Sequence, residues 1–296
     1  MNKILVIIFA SLLIFLLVSC TSTENREVEN NPTKDDSPVT DKYEGEDSET
    51  GEEDKDSENM EEEKEVEEEI EEGIIAQYRV ADDWSLVPIN EGTNEKVVLL
   101  TIDDAPEKYS LEMAKTLKEL NAGAIFFVNG HFVDTPEEEE ILKQIHDMGF
   151  VIGNHTYNHV NLKNLESDPE KQRSELVSLN DKIEEIIGER PKFFRAPHGV
   201  NTEESKKIAQ EEKMVLMNWS YGYDYFKPYF NKDKLVTAMV TGEGPEVDVP
   251  YSLLKNGANL LMHDREWTSE ALEEIVIGLR EKGYEILDPR LIETIK

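Results

Sequence analysis

Two histidines stand four residues apart in the pentapeptide HTYNH, which covers residues 155–159. His155 and His159 lie on one face if the backbone is helical, and a loop can also bring both imidazoles to one cation. The same spacing occurs on solvated surfaces, where the histidines bind nothing. The spacing alone therefore leaves a metal site and two surface imidazoles as open alternatives, and a third ligand is needed to decide between them.

Two adjacent carboxylates, Asp103 and Asp104 in the stretch TIDDAP (101–106), can supply that third ligand. Neighbouring side chains of an extended strand point to opposite sides. We therefore expect one carboxylate to join His155 and His159 while the other stands across the site as a base. Two histidines and one aspartate leave room for water and substrate, and this open arrangement suits Zn²⁺ or a similar divalent ion. The alternative is a turn in which Asp104 caps the helix that follows.

From residue 97 onwards, apolar strand-like segments alternate with helix-like segments. The strand-like runs are VVLLTI (97–102), AIFFV (124–128), VIG (151–153), KFFR (192–195), MVLMNW (214–219), NLLMH (259–263) and YEIL (284–287). Helical spacing covers 111–120, 137–148, 170–187, 202–211, 232–240 and 269–281. This alternation predicts an α/β fold with a parallel sheet, and about seven such units predict a (β/α) barrel.

Polar residues cluster where the predicted strands end. They are Asp103 and Asp104, His155 and His159, Arg195, Trp219 and Asp224, and His263 and Asp264. The chemistry of (β/α) barrels is located at the carboxyl ends of the strands. Inward-pointing polar side chains at one rim need partners or a metal ion, because burying an unpaired charge is costly. We therefore place the site at this rim.

The start of the chain is typical of a bacterial lipoprotein signal peptide. Lys3 is basic, Ile4 to Val18 is almost wholly apolar, and a small residue precedes Cys20, the only cysteine in the chain. The apolar run of about 15 residues is short for a membrane-crossing helix. We expect lipidation at Cys20 and a domain without disulfides, with an uncleaved membrane anchor as the alternative.

A strongly acidic segment follows. Residues 21–72 contain 24 acidic and 5 basic residues, a net charge near −19 within the −34 of the whole chain, and Tyr43 is their single aromatic residue. Such a segment cannot bury enough apolar surface to offset its conformational entropy, so we expect a disordered linker. It either lifts the domain off the membrane or only keeps the chain soluble. The acidity argues against nucleic acid as a partner.

Five short motifs follow one another along the chain: TIDDAP (101–106), HTYNH (155–159), RAPHG (195–199), NWSYGYD (218–224) and LLMHD (260–264). In this order and at these separations, they resemble the motifs of the polysaccharide deacetylase family (NodB-homology, carbohydrate esterase family 4). The resemblance spans roughly residues 96–289. It implies a distorted (β/α)7-8 barrel and the metal-dependent removal of N- or O-acetyl groups from polysaccharides.

The resemblance also implies a role for each matching residue of the metal centre. Asp104, His155 and His159 would hold one divalent ion, with Zn²⁺ preferred and Co²⁺, Ni²⁺ or Mn²⁺ as alternatives. Asp103 would act as the general base, and Arg195 would pair with it and keep it ionised and oriented.

On the substrate side, the resemblance implies that His263 is the general acid and that Asp224 raises its pKa. A backbone N–H near His198 would stabilise the oxyanion, and Trp219 and Leu261 would wall the slot for the acetyl methyl group.

The sequence departs from the family pattern at several positions. Ala105 replaces a glycine beside the base, and His198 replaces an aromatic residue that contacts sugar. Gly222 of the fourth motif stands where an aspartate is more usual, and Tyr225 follows the motif where a tryptophan is more usual. The six aromatic residues between Tyr221 and Phe230 are either a carbohydrate surface or part of the core.

We therefore divide the chain into a lipoprotein signal peptide (1–20), a disordered acidic linker (21–73), an N-terminal extension packed on the barrel (74–95) and a catalytic domain (96–290). The predicted activity is metal-dependent removal of acetyl groups from N-acetylated amino-sugar polysaccharide, with peptidoglycan N-acetylglucosamine as the expected substrate. An O-acetyl esterase and an inactive carbohydrate-binding lipoprotein are the alternatives. We expect the domain on the extracellular face of the bacterial cell membrane, anchored by the lipid at Cys20.

Overall fold

The computed structural model of the chain describes residues 74–296. The predicted signal peptide, its Cys20 and the predicted acidic linker lie outside the described residues, so lipidation and linker disorder stay predictions. Within 74–296, none of the helices combines the length and the apolar character that crossing a membrane requires.

Nine strands are described. They are β1 (Tyr78–Val80), β2 (Leu86–Pro88), β3 (Val97–Ala105), β4 (Ile125–Val128), β5 (Val151–Asn154), β6 (Phe193–Phe194), β7 (Val215–Leu216), β8 (Ala258–His263) and β9 (Glu285–Ile286). The last seven form one parallel sheet in the order β7-β6-β5-β4-β3-β8, with β9 paired to the first two residues of β3. A backbone bridge between Tyr221 and Leu260 links the segment after β7 to β8, so the sheet curls towards closure. The predicted α/β fold with a distorted barrel is confirmed.

Helices connect the strands of the barrel. They are α1 (Ser110–Glu119), α2 (Pro136–Asp147), α3 (Pro169–Ile187), α4 (Glu203–Glu211), α5 (Lys232–Thr241) and α6 (Glu266–Glu281). Each begins and ends close to its predicted bounds, and strong local signals set several of these ends. Thr135 and Glu138 form a capping box at the start of α2, and Gly188 ends α3 in the left-handed conformation.

The central strand β3 is buried along its whole length, so its side chains alternate between two apolar environments. Val98 and Leu100 pack in the large core that also contains residues from the helices. Val97 and Leu99 pack in a second core inside the curled sheet. The side chains of Thr101 and Asp103 continue this inward series with a period of two. The strand pattern therefore carries Asp103 to the inner side of the rim.

The segment 74–95 closes the opposite end of the barrel. β1 and β2 pair antiparallel, and Tyr78 and Leu86 pack in the inner core with Val97. The backbone N–H of Leu86 donates to the carbonyl of Gly257 at 2.7 Å. This end lies at the start of β3, away from the aspartates that end the strand.

Candidate metal and catalytic site

Asp103 and Asp104 stand at the end of β3, and both face the same site. Nε2 of His155 lies 3.5 Å from Oδ2 of Asp103 and 3.9 Å from Oδ1 of Asp104. Asp104 has a positive φ of 63°, and the pairing of β3 with β4 shifts register between Ile102 and Ala105. Such an irregularity turns a side chain out of the strand alternation. The strand alternation is therefore interrupted at Asp104, and both carboxylates reach the same site, Asp104 with the two histidines and Asp103 beside them.

One carboxylate and two imidazoles converge on a single point. One donor atom from each of Asp104, His155 and His159 lies within 4.8 Å of the other two, and Nε2 of His159 is 3.4 Å from Oδ1 of Asp104. Ligands that share one ion at bonds of about 2.1 Å stand roughly 3.4 Å apart in a tetrahedral arrangement. The donor set and its spacing therefore fit a divalent ion.

The HTYNH segment reaches this geometry as a loop. β5 ends at Asn154, and both Thr156 and His159 have positive φ, at 68° and 50°. The backbone N–H of Thr156 donates to Oδ1 of Asn154 at 2.9 Å, which holds the turn after the strand. The amide of Asn129, at the end of β4, donates to the carbonyl of His155 at 2.7 Å.

Both histidines present a neutral imidazole to the site. Nδ1 of His155 donates to the carbonyl of Arg195 at 2.7 Å, so the lone pair of Nε2 points towards the aspartates. Burial lowers the pKa of His155 despite the nearby carboxylates. Burial, together with the neighbouring His155, also lowers the pKa of His159 to about 4. Neutral imidazole is the form that binds a metal ion.

The buried side chain of Arg195 fixes the orientation of the Asp103 carboxylate. The guanidinium is fully buried, and its Nη1 donates to Oδ1 of Asp103 and to Oγ1 of Thr101, each at 2.7 Å. Its other nitrogens donate to the carbonyls of Met217 and Asn218. A buried charge pair with all its hydrogen bonds made keeps the carboxylate in a fixed orientation. Oδ2 of Asp103 is left facing the site.

His263 ends β8 and carries a carboxylate partner. It is directly opposite Asp103 in the pairing of β3 with β8. Nδ1 of His263 lies 2.8 Å from Oδ1 of Asp224, and Oδ2 of Asp224 accepts from the backbone N–H of His263 and from the hydroxyl of Thr268. Burial acts to lower the pKa of His263, but the Asp224 carboxylate outweighs it and raises the pKa to about 9. The imidazole is therefore protonated at neutral pH, with Nε2–H available to a substrate.

The remaining predicted site residues lie around this centre. His198 sits in a short turn with a φ of 59°, and its ring centroid is 5.1 Å from that of His159. Trp219 follows β7, with its ring 5.8 Å from the guanidinium of Arg195. Leu261 is buried in the middle of β8, two residues before His263 and on the same face of the strand.

The structure divides the aromatic residues between Tyr221 and Phe230 into core and surface. Tyr221 and Tyr223 are buried, and their hydroxyls donate to the carbonyls of Met239 and Gly242 at 2.7 Å. Tyr225 is exposed, with its ring centroid 5.6 Å from that of His263. Only the exposed members are available to a sugar.

The unusual Gly222 has a steric reason. A Cβ at this position would lie 2.4 Å from the carbonyl oxygen of Leu261 and 2.8 Å from its Cβ. Any side chain there would push the loop away from β8. An aspartate at this position is therefore incompatible with the close approach of the loop to the strand.

The sequence analysis missed two contacts at the site, and the two residues directly after His263 make them. The carboxylate of Asp264 accepts from the backbone N–H groups of Lys108, Tyr109 and Ser110 at 2.6–2.9 Å. Asp264 therefore holds the start of α1, a role that the sequence alternative gave to Asp104. Nη2 of Arg265 donates to Oδ2 of Asp104 at 2.7 Å. The only sequence signal for this second contact is a basic residue directly after the fifth motif.

Comparison with known proteins agrees with the fold. A profile of the polysaccharide deacetylase family matches residues 90–217. The chain is 29% identical over 205 residues to a peptidoglycan-N-acetylglucosamine deacetylase of Bacillus cereus, covering 69% of this chain and 70% of that protein. It is 30% identical over 193 residues to another protein of that description from the same species, covering 64% and 85%. It is also 29% identical over 196 residues to the peptidoglycan-N-acetylmuramic acid deacetylase PdaA of Bacillus subtilis, covering 65% and 69%.

Solved structures show the same fold. A carbohydrate esterase family 4 pseudoenzyme from Bacillus anthracis is 30% identical with a TM-score of 0.56, covering 65% of this chain and 63% of that chain. The peptidoglycan deacetylase PdaC from Bacillus subtilis is 27% identical with a TM-score of 0.55, covering 66% and 89%.

Fold and site together define a hydrolase built on a curled (β/α) barrel, with its polar cluster at the carboxyl ends of the strands. More narrowly, the chain belongs to the polysaccharide deacetylase family.

Proposed function

We propose that this chain is a metal-dependent deacetylase that removes the N-acetyl group from N-acetylglucosamine in peptidoglycan. The observation that carries the proposal is the convergence of Asp104, His155 and His159 on one point, with Asp103 and His263 beside it. The peptidoglycan deacetylases among its relatives support the substrate class.

The metal ligands and the general base have separate roles in this reaction. A divalent ion held by Asp104, His155 and His159 would supply Lewis acidity, which polarises the acetyl carbonyl and lowers the pKa of water. Oδ2 of Asp103 accepts the proton of the attacking water, while Arg195 keeps the other oxygen occupied.

The leaving group and the oxyanion are handled on the other side of the site. The amine is too basic to leave unprotonated, so His263 donates its Nε2 proton to it. The backbone N–H near His198 is the donor that we assign to the oxyanion, following the family resemblance. Leu261 and Trp219 would face the acetyl methyl group.

We further propose that the chain is a lipoprotein with its domain on the outer face of the cell membrane. The support is the sequence pattern that ends at Cys20 and the acidic segment that follows it. A lipid anchor there would keep the domain close to the cell wall, which is where peptidoglycan is found.

Release of acetate tests the proposed function. The full-length chain, purified in a non-ionic detergent, is incubated with peptidoglycan, N-acetylglucosamine oligomers or acetylated xylan. We expect release from peptidoglycan that stops with a chelator and returns when Zn²⁺ or Co²⁺ is added. Release that ignores the chelator would contradict the metal mechanism. The Asp103→Asn variant gives the background for each substrate.

Two other functions give different outcomes in the same assay. Preferred release from acetylated xylan would identify an O-acetyl esterase, since esters are cleaved more easily than amides. Binding to glycan without release would identify an inactive carbohydrate-binding protein, and the similarity to a pseudoenzyme structure is the observation that favours this candidate. The converged ligands, the oriented Asp103 and the charged His263 favour catalysis over it.

The pH dependence tests the pairing of His263 with Asp224. The acid works only while it is protonated, so we expect kcat/KM of the wild-type chain to fall as pH rises through about 9. In Asp224→Asn the largest of the charges that raise this pKa is lost while burial remains, so the pKa of His263 should fall, with Asp103 and Asp104 as the carboxylates that still raise it.

The alkaline fall in activity should therefore move to lower pH in Asp224→Asn. The control is Asp82→Asn, which removes an exposed aspartate far from the site and should leave the profile unchanged. An alkaline limb that stays in place in Asp224→Asn would show that another group is the acid.

A further inference from the structure

Two arginines hold the two aspartates of the site, one each. Nη1 of Arg195 donates to Oδ1 of Asp103, and Nη2 of Arg265 donates to Oδ2 of Asp104, both at 2.7 Å. In each case the second carboxylate oxygen is left facing the histidines. Oδ2 of Asp103 lies 3.5 Å from Nε2 of His155, and Oδ1 of Asp104 lies 3.4 Å from Nε2 of His159.

The guanidinium of Arg265 is itself fixed at three points. Besides Asp104, it donates through Nη1 to Oε2 of Glu107 at 2.5 Å and to the carbonyl of Asp264 at 2.8 Å. The side chain of Asp264 in turn holds the backbone at the start of α1. Arg265 therefore ties the end of β8 to the loop that follows β3. A planar guanidinium with several bonds made loses little freedom for each one.

We propose that Arg265 is a positioning residue of the metal site, which holds Asp104 so that Oδ1 alone is presented to the ion. The inference rests on the proposed function, in which Asp104, His155 and His159 bind a divalent ion. Rotation of the carboxylate, or binding of the ion through both oxygens, would disturb the hydrogen bond from Arg265 to Oδ2. A single fixed donor matches the three-ligand arrangement that leaves open positions for water and substrate.

If Arg265 is removed, the loss of its charge and the loss of its positioning role should change the affinity for the metal ion in opposite directions. A guanidinium beside a ligand repels the incoming cation, so charge alone predicts tighter metal binding when Arg265 is removed. The positioning role predicts weaker binding of the ion, because the side chain of Asp104 is then free and loses conformational entropy when the ion binds. Loss of partners that orient metal ligands typically costs about 10–100-fold in affinity. The sign of the change therefore decides between the two effects.

The experiment measures the affinity of the full-length chain for Zn²⁺ at neutral pH by competition with a chromophoric chelator. We expect Arg265→Ala to bind Zn²⁺ about 10-fold more weakly than wild type, or worse. Arg265→Lys should be intermediate, because an ammonium keeps the charge but cannot donate in a planar fork to Asp104 and Glu107 together. Glu107→Ala removes one anchor of Arg265 without touching Asp104, so a smaller loss in the same direction is expected.

The matched control is Arg280→Ala. Arg265 is the N-cap residue of α6, and Arg280 lies in that helix about 22 Å further along, where its guanidinium donates to the carbonyls of Leu120 and Asn121. This variant makes the same change in net charge and should bind Zn²⁺ like the wild type. Circular dichroism of each metal-free variant reports whether it is folded.

Unchanged or tighter Zn²⁺ binding in folded Arg265→Ala would overturn the inference and leave the proposed function standing. If that variant does not fold, Arg265→Lys decides, and wild-type affinity there would overturn the inference. A wild-type chain that binds no Zn²⁺ would overturn the proposed metal site itself, so the two failures are distinguishable.

Discussion

Asp103→Asn is expected to lower kcat for acetate release by about 10²–10⁴-fold while the chain still binds one divalent ion. Asparagine keeps the size of the side chain and, through Oδ1, the hydrogen bond from Nη1 of Arg195. It cannot accept the proton of the attacking water, so the loss falls on the chemical step. The metal ligands Asp104, His155 and His159 are unchanged, which is why occupancy should stay near one ion per chain.

The measurement pairs acetate release with metal content determined by elemental analysis of the same sample. Asp82→Asn serves as the control, since it makes the same chemical change at an exposed position. Loss of metal in Asp103→Asn would mean that Asp103 is a ligand and that its role and that of Asp104 are exchanged.

His159→Ala is the change that we expect to empty the metal site. Nε2 of His159 lies 3.4 Å from Oδ1 of Asp104, and the side chain is 30% exposed, so its removal opens little space in the core. Two ligands then remain, which are too few to hold the ion. A bound ion stabilises the transition state by several kcal/mol, and this stabilisation is lost with it. Acetate release should fall by about 10³-fold or more.

His131→Ala is the matched control for that variant. His131 is an exposed histidine nearby, with Nδ1 3.0 Å from the carbonyl of Tyr157, and it is outside the cluster of candidate ligands. It should keep both metal and activity. Wild-type metal content in His159→Ala would exclude His159 as a ligand.

Family membership alone does not decide whether this chain is active. The similar Bacillus anthracis protein is a pseudoenzyme, and a mutant of it has restored enzymatic activity. A family of this kind contains the same fold with and without turnover. The argument for catalysis therefore depends on the arrangement of Asp103, Asp104 and His263 in this chain.

The elements of the fold follow from local sequence. The continuous apolar run from Val97 predicts a strand buried on both faces, and β3 is buried throughout. Several helix ends are set by short-range signals such as the capping box at Thr135 and the left-handed glycine at Gly188. The parallel order of the strands then brings their carboxyl ends, and the polar residues on them, to one rim.

The details of the site depend on contacts that local sequence does not contain. The turn that aims Asp104 inward arises from the register shift between β3 and β4. The bond from Arg265 to Asp104 joins residues that are 161 positions apart in the chain. Tyr221 is buried with its hydroxyl hydrogen-bonded to the carbonyl of Met239, a partner that composition cannot reveal.

The most direct test of the account is the position of the ion in a crystal of the protein that contains Zn²⁺. Anomalous diffraction at the zinc absorption edge should show one peak within about 2.2 Å of Oδ1 of Asp104 and of Nε2 of both His155 and His159. Oδ2 of Asp104 should still accept the hydrogen bond from Nη2 of Arg265. An anomalous map with no peak between these three side chains, or with its peak elsewhere in the molecule, would contradict the account.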